Sequence, residues 1–192
     1  MAVTGWKSPG TCASVDRDGK AAWANPDNAK ISDGNYAVCD AAALDYGDWL
    51  RCTNFGFTVG DVPAGSSVDG IEVSVERQAE GTVVSTIVDS ALYLRDAGGQ
   101  TGDNKADAVT NWPTADASVI YGGGGDDWNA GLDDTEVIAA TFGVDLSIYN
   151  EHATQPRHGD VDHIQIRITY TAPGAAGGEM TTNPGYWGPP IT

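Results

Sequence analysis

The stretch that decides the fold covers residues 49–78 and reads WLRCTNFGFTVGDVPAGSSVDGIEVSVERQ. Apolar residues alternate with small or polar ones in NFGFTV, over 54–59, and again in GIEVSVE, over 70–76. A period of two is typical of a β-strand with one buried face. The turn-rich sequence PAGSS, over 63–67, separates the two segments. The stretch therefore predicts two strands of an all-β protein, with one shared face formed in the first by Phe55, Phe57 and Val59 and in the second by Ile71, Val73 and Val75.

Four further segments read as strands: 35–40, 83–95, 135–144 and 161–170. The last has the cleanest alternation, which places Ile164, Ile166, Ile168 and Tyr170 toward the core. Segment 83–95 alternates unevenly, which indicates a strand covered on both sides or one with a bulge. Together these segments predict an antiparallel β-sandwich, and we favour a jelly roll among the Greek-key topologies.

Three regions follow from composition. Residues 1–35 carry a turn signal every few positions and predict an N-terminal irregular arm. Residues 36–171 form the sandwich domain, interrupted by a turn-rich excursion over 96–130 of the kind that is usually functional or interfacial. Residues 172–192 are rich in Gly and Pro and predict an extended C-terminal arm.

The charge balance restricts the partners. The chain has 27 acidic and 10 basic residues, for a formal net charge of −17. Nucleic acids and anionic lipid surfaces are bound through Lys and Arg, so this field disfavours both. We expect no nucleic-acid and no membrane partner, and a surface that faces solvent or a basic partner.

The N-terminus and the cysteines bear on the compartment. The first sixteen residues, MAVTGWKSPGTCASVD, lack the apolar run of a signal peptide, and no segment approaches transmembrane length, so we expect synthesis in a cytosol. Cys12, Cys39 and Cys52 show no CxxC spacing, and an odd number leaves at least one without an intrachain partner. We therefore expect buried or partly buried thiols and no disulfide framework.

Acidic residues offer two candidate cation sites. Asp16-Arg17-Asp18-Gly19 resembles the start of a calcium loop but lacks the later ligands. Four carboxylates flank Trp128 and could together hold a Ca²⁺ ion, although a solvated acidic loop is the favoured interpretation. They are Asp126, Asp127, Asp133 and Asp134.

No pattern predicts catalysis. The chain has no GxSxG motif, and the Gly-rich YGGGG at 121–125 is followed by two Asp, where a phosphate loop needs a Lys or a helix start. His158, Asp160, Asp162 and His163 form a dense group, but Asp162 and His163 point to opposite faces of a strand. We expect no enzyme, no cofactor and surface histidines.

The aromatic residues outside the regular strands are the candidate partner interface. Tryptophan and tyrosine are enriched at protein interfaces, and they also stack on sugars or simply pack back onto a sandwich. The sequence leaves all three alternatives open. The candidates are Trp6 and Trp23 near the N-terminus, Trp112, Tyr121 and Trp128 in the excursion, and Tyr186 and Trp187 in the C-terminal arm.

Several short blocks, in order, resemble a β-sandwich protein that recurs among tailed-bacteriophage and prophage structural proteins. The likeness covers about residues 23–170 and leaves both ends uncovered. The blocks are WANPDNA at 23–29, DGNYA at 33–37, NFGF at 54–57, PAG at 63–65, GIEV at 70–73, YGG at 121–123 before DW at 127–128, and FGV at 142–144.

The resemblance implies a virion component without catalytic residues. The leading hypothesis is a capsid decoration, or cement, protein on the capsid exterior that binds the major capsid protein and copies of itself, for example as a trimer. A tail, tail-tip or fibre component is the second hypothesis. A carbohydrate-binding, receptor-binding module that uses Trp112, Tyr121 and Trp128 is the third.

Overall fold

Two antiparallel β-sheets packed face to face make up the part of the chain that the computed structural model describes, residues 1–81 and 85–174. This confirms the predicted all-β sandwich. The helices are a short 3₁₀ helix at Pro26–Ala29 and α1 at Asp134–Val137. The strands are β1 (Ala2–Val3), β2 (Thr11–Val15), β3 (Trp23–Ala24), β4 (Ala37–Ala41), β5 (Trp49–Thr53), β6 (Ser67–Ala79), β7 (Ile87–Arg95), β8 (Gln100–Thr101), β9 (Ala117–Gly122), β10 (Gly143–Asn150) and β11 (Arg157–Thr171).

The strand order is nested. One sheet has the order β3-β4-β11-β6-β9, with β1 also paired to β11, and the other has the order β2-β5-β10-β7-β8. Thus β4 pairs with β11, β5 with β10, β6 with β9 and β7 with β8. The long central strand β11 contains the predicted strand 161–170, and its Ile164, Ile166 and Ile168 are fully buried. The sheet that contains β11 is the six-stranded sheet, and the sheet that contains β10 is the five-stranded sheet.

The opening stretch, 49–78, forms β5 and β6, but β5 is shorter than the alternation predicted. The strand ends at Thr53 because Asn54 and Gly56 have φ angles of 60° and 69°, outside the β region. Phe55 and Phe57 are nevertheless buried in the core from the following loop. Val59 is 62% exposed, so the prediction that it shares their face is wrong.

Residues 1–35 are part of the sandwich and not the irregular arm that their turn signals predicted. β2 pairs with β5 along its whole length, from Thr11 opposite Thr53 to Val15 opposite Trp49, and β1 pairs with β11. The segment TCASV is short and rich in small residues, so it shows no strong alternation. Backbone pairing with an existing strand satisfies its polar groups all the same. The predicted C-terminal arm lies almost wholly outside the described residues.

The predicted excursion over 96–130 contains a strand, and the predicted strand over 135–144 is replaced in part by a helical turn. β9, inside the excursion, is an edge strand paired with β6. Residues 134–137 form α1, whose N-cap Asp133 accepts hydrogen bonds from the amides of Thr135 and Glu136, while Glu136 accepts one from the amide of Asp133. This capping box nucleates a helical turn where a strand was expected. β10 begins only at Gly143.

The uneven alternation of 83–95 has its cause in a β-bulge. Ser147 pairs with Ala91 and Ile148 pairs with Asp89, which leaves Ser90 as an extra residue in β7. Val83 and Val84 lie outside the described residues. The bulge turns Asp89 toward the core, where it is fully buried.

Cys12 and Cys52 form a disulfide, contrary to the expected thiols. They lie directly opposite each other on β2 and β5, a proximity set by strand register and invisible in sequence spacing. Cys39 is the free, buried cysteine. Burial raises the pKa of its thiol to about 12, which keeps it protonated and unreactive.

Candidate functional site

The three aromatic residues of the excursion are buried in the core. Trp112 is 1% exposed, Tyr121 6% and Trp128 0%. The indole Nε1 of Trp128 donates to the carbonyl oxygen of Ile71 at 2.9 Å. A ring without solvent access can neither contact a partner nor stack on a sugar. The structure therefore contradicts their prediction as interface or glycan-binding residues and supports packing back onto the sandwich.

The glycine-rich turn after β9 makes room for Trp128. Gly122 has a φ of 75°, and a Cβ built on it would clash with the Trp128 indole and with the carbonyl of Ile71. The YGGGG sequence thus serves close packing at this position.

The other predicted interface aromatics differ in exposure. Trp23 is 3% exposed, and its Nε1 donates to the carbonyl of Asp48 at 2.8 Å, so it is a core residue. Trp6 is half-buried on the outer face of the six-stranded sheet, with the guanidinium of Arg167 4.6 Å from its ring centroid. Tyr186 and Trp187 lie outside the described residues.

The carboxylates proposed for a cation do not converge. Asp126 pairs with Lys105 at 3.0 Å, and Asp127 accepts a hydrogen bond from the amide of Asn129. Asp133 caps α1, and Asp134 accepts a hydrogen bond from the amide of Gly65. Within residues 1–81 and 85–174, no three His, Cys, Asp or Glu side chains lie close enough to hold a metal ion.

The histidine group near the start of β11 is also dispersed. His158 contacts Asp160 at 2.8 Å, whereas His163 contacts the hydroxyl of Ser8 at 2.8 Å. Asp162 is 3% exposed and accepts hydrogen bonds from the amides of Asp33 and Gly34. Partial burial lowers the pKa of His163. The group fixes the N-terminal loops onto β11.

A buried polar cluster that the sequence did not reveal lies between the sheets. Arg77 of β6, 2% exposed, pairs with the fully buried Asp89 of β7. Asp89 also accepts hydrogen bonds from Trp112 Nε1 at 2.7 Å, from the Tyr121 hydroxyl at 2.7 Å and from the amide of Asp107 at 2.9 Å. Burial raises the pKa of the Tyr121 hydroxyl. The carboxylate of Asp89 already pairs with Arg77 and accepts these three hydrogen bonds. Asp89 therefore joins the two sheets and is not available as a base.

The outer face of the five-stranded sheet has a different composition, and we call it the arginine–aromatic face. Its side chains are only partly buried, apart from a fully buried carboxylate at the centre. On or beside it lie four of the ten basic residues of the chain, namely Arg17, Lys20, Arg51 and Arg95. Its members are Arg17, Trp49, Arg51, Tyr93, Arg95 and Asp145.

Asp145 organises the arginines of this face. Arg51 binds it in a bidentate pair, at 2.9 and 3.0 Å, and Gln100 donates to it at 3.0 Å. Arg95 lies at 3.9 Å. The hydrogen bond to Asp145 raises the pKa of Arg51. Such forked pairs hold guanidinium groups in a fixed plane, which a docking surface needs.

Arg17 lies between the arginine–aromatic face and the side chain of Tyr46. Its guanidinium lies 4.4 Å from the ring centroid of Trp49 and 4.8 Å from that of Tyr46. Its Nη1 donates to the hydroxyls of Ser90 at 2.9 Å and Ser147 at 2.7 Å. The side chain is thus fixed by two stacked rings and two hydrogen bonds.

Beyond Arg17 the surface opens into a cleft of about 300 Å³, which we call the tyrosine cleft. It lies at the end of the five-stranded sheet beside the bulge in β7. Two tyrosine rings, with centroids 5.2 Å apart, form one side. The lining residues are Tyr46, Val88, Asp89, Ser90, Ala108, Tyr149 and Glu151.

Part of this surface was readable from the sequence. In WLRCT the buried Leu50 and Cys52 alternate with Trp49 and Arg51, so an outward Trp–Arg pair was visible in the opening stretch. Arg17 and Tyr46 reach the same surface from loops, and no local pattern indicates that.

Comparison with protein-family models, with curated proteins and with solved structures finds no match to this chain. Among the helices of the described residues, none combines the length and apolar character needed to cross a membrane.

Proposed function

We propose that this protein is a non-enzymatic structural component of a tailed-bacteriophage virion, a decoration protein that attaches to the capsid exterior through its arginine–aromatic face. The observation that carries the proposal is the arrangement of three arginines, Arg17, Arg51 and Arg95, with Trp49 and Tyr93 on the outer face of the five-stranded sheet, in a chain with net charge −17. The partner is the major capsid protein, and neighbouring copies of this chain complete a homo-oligomer such as a trimer.

The nested strand order supports a jelly roll. A jelly roll is a long hairpin rolled into two four-stranded sheets, in which the first strand pairs with the last and so on inward. The same nesting is seen here, with β4 paired to β11, β5 to β10, β6 to β9 and β7 to β8. Jelly rolls are a frequent architecture of viral capsid and lectin domains. The fold class is thus compatible with a virion component, although many functions share one fold.

The composition of the two outer faces supports docking by the five-stranded sheet. Protein interfaces are enriched in Trp, Tyr and Arg, and a few such residues carry most of the binding energy. The outer face of the six-stranded sheet has one Trp–Arg stack, Trp6 with Arg167, among the partly buried Glu72, Glu76, Gln165 and Thr169. A capsid surface that presents carboxylates would complement the arginines and would be repelled by the remaining acidic surface, which orients the subunit.

The ordered sequence blocks, which resemble phage structural proteins, are the reason for proposing a virion protein. Their residues include the buried Phe55 and Phe57 and the close-packed Gly122–Trp128 turn, so the resemblance lies in the elements that build the sandwich. Attachment of a rigid sandwich at joints of a capsid lattice would resist internal DNA pressure, because binding favours the assembled state by mass action.

Cosedimentation with heads assembled without this protein tests the proposal. We expect the purified chain to pellet with the heads and to raise the temperature at which they release DNA. Trp49→Ala should weaken binding at least tenfold, since interface tryptophans contribute about 2 kcal/mol or more. Trp6→Ala removes the matched Trp–Arg stack on the opposite sheet and should leave binding unchanged.

The outcomes distinguish the alternatives. Failure to bind heads, or binding without a rise in the release temperature, contradicts the decoration role. Loss of binding with Trp6→Ala and not with Trp49→Ala places the docking surface on the six-stranded sheet. Immunogold labelling of intact virions separates a head location from a tail or tail-tip location.

A further inference from the structure

We propose that the tyrosine cleft is a binding site for a neutral saccharide. The residues that line this cleft are not members of the arginine–aromatic face, although Arg17 contacts both, and the proposal does not depend on a virion location. It also differs from glycan binding by the excursion aromatics, which burial excludes. Four observations carry it: the bulge, the tyrosine pair, the local charges and the size of the cleft.

The bulge in β7 creates the floor of the cleft. Ser90 is the extra residue between Asp89 and Ala91, so its side chain leaves the regular strand pattern and lines the cleft, next to Val88. Its hydroxyl accepts a hydrogen bond from Arg17 at 2.9 Å, which leaves the hydroxyl proton to donate to a ligand. Bulges are over-represented next to binding sites because they re-aim a side chain in this way.

The two tyrosines form a rigid apolar wall. Tyr46 and Tyr149 face each other as a cross-strand pair, held by backbone hydrogen bonds from Gly47 to Ile148 and from Asn150 to Asp45, both 3.0 Å. The rings are inclined at 47°, and Tyr46 is 41% exposed. Rings fixed before binding lose little entropy, and the face of the Tyr149 ring suits the C–H face of a pyranose.

The charges around the cleft select a neutral ligand. Arg17 and Lys20 already lie over the Tyr46 ring, at 4.8 and 5.8 Å, so they occupy its cation site and repel a cationic ligand. Glu151 lines the cleft and repels an anion. Asp45 is paired with Lys20 at 2.9 Å, and the carboxylate of Asp89 is paired with Arg77 inside the core. A neutral polyhydroxyl ligand avoids both repulsions and uses Glu151 as a hydrogen-bond acceptor.

The volume suits one sugar residue of a longer chain. About 300 Å³ lies at the lower end of small-molecule sites, and the cleft is open enough for a glycan to continue beyond it. Shallow sites with few polar contacts bind weakly, so we expect a Kd of about 1 mM for a single monosaccharide, or about −4 kcal/mol. Several subunits on one particle would raise the avidity.

The test is a panel of neutral mono- and oligosaccharides, followed by two-dimensional amide NMR of the full chain at sugar concentrations up to about 10 mM, ten times the expected Kd. We expect at least one sugar to shift the amide signals of Ser90 and Ala108 in a saturable way. Tyr149→Ala should abolish the shifts. Glu151→Gln keeps the shape of the cleft and, because Glu151 is exposed, should leave the thermal midpoint unchanged while weakening binding several-fold.

The matched control is Tyr170→Ala, a partly buried tyrosine on the six-stranded sheet, which should leave sugar binding unchanged. Absence of saturable shifts with every sugar overturns the proposal. Shifts that survive both Tyr149→Ala and Glu151→Gln overturn the assignment to this cleft, and saturable binding of choline in place of sugars overturns the ligand class. Head binding by the Glu151→Gln variant should equal that of the wild type, which separates this site from the docking face.

Discussion

Arg77 and Asp89 form an ion pair that joins the two sheets inside the core. Arg77 continues the inward row of β6 after Ile71, Val73 and Val75, and Asp89 reaches it from β7 of the opposite sheet. The guanidinium lies 4.6 Å from the ring centroid of Trp112. Its Nε has no hydrogen-bond partner among the described residues, so the pair holds the charge at some desolvation cost.

Asp89→Ala should strongly destabilise the fold. The substitution leaves the Arg77 charge buried and removes the acceptor for Trp112 and Tyr121, which costs about 3–5 kcal/mol. Urea unfolding followed by tryptophan fluorescence measures the change. Glu80→Gln, which breaks the exposed pair with Arg157, is the control and should cost less than about 1 kcal/mol. Similar losses of unfolding free energy in the two variants would show that the buried Arg77–Asp89 pair stabilises the fold no more than an exposed ion pair does.

Reduction of the Cys12–Cys52 disulfide should lower the free energy of unfolding by about 2–4 kcal/mol, because the bond closes a long loop in the unfolded chain. Urea unfolding with and without dithiothreitol measures this loss, and a Cys12→Ser variant should show no dependence on the reductant. Alkylation in denaturant without reductant should modify Cys39 alone. Modification of all three cysteines under those conditions would contradict the disulfide.

His163 should make the stability depend on pH. Its partial burial lowers the folded-state pKa below the usual value near 6.5, so the unfolded chain takes up the proton first as the pH falls. Stability is therefore lost as the pH decreases from about 6.5 toward the folded-state pKa. The thermal midpoint of the wild type should fall more than that of His163→Gln between about pH 7.5 and 5.5. An NMR titration midpoint of the His163 ring above 6.5 would contradict this sign.

The fold was largely predictable where alternation was long enough to be read. Strand β11 and the second half of the opening stretch each repeat an apolar residue at every second position, and both were placed correctly. The first half of that stretch failed at Asn54, where a positive φ ends the strand without breaking the apolar pattern. β2 was missed because a short strand of small residues gains its stability from pairing with β5 and not from its own sequence.

The surface sites were less predictable because they depend on register. One extra residue at Ser90 reverses the faces of β7, and this shift both turns Asp89 toward Arg77 and opens the tyrosine cleft. Trp112 and Trp128, which the sequence places in the turn-rich excursion, are buried. The accessible aromatic residues are the partly buried Trp49 in β5 and the exposed Tyr46 in an isolated β-bridge before it. Composition identifies which residues could bind a partner, but only tertiary contacts decide which of them remain exposed.

Gly122→Ala should destabilise the protein although it adds a single methyl group. The new Cβ would meet the Trp128 indole and the Ile71 carbonyl, and alanine would have to adopt a φ of 75°. The left-handed conformation costs about 1–2 kcal/mol and overpacking about 1–3 kcal/mol, so we expect a total of about 2–5 kcal/mol in urea unfolding. Gly125→Ala, in the same glycine run but with no atom near the added Cβ, should change the free energy of unfolding by less than about 0.5 kcal/mol. Equal effects at the two positions would mean that the glycine run serves turn flexibility in general, whereas a loss confined to Gly122 ties it to the seating of Trp128.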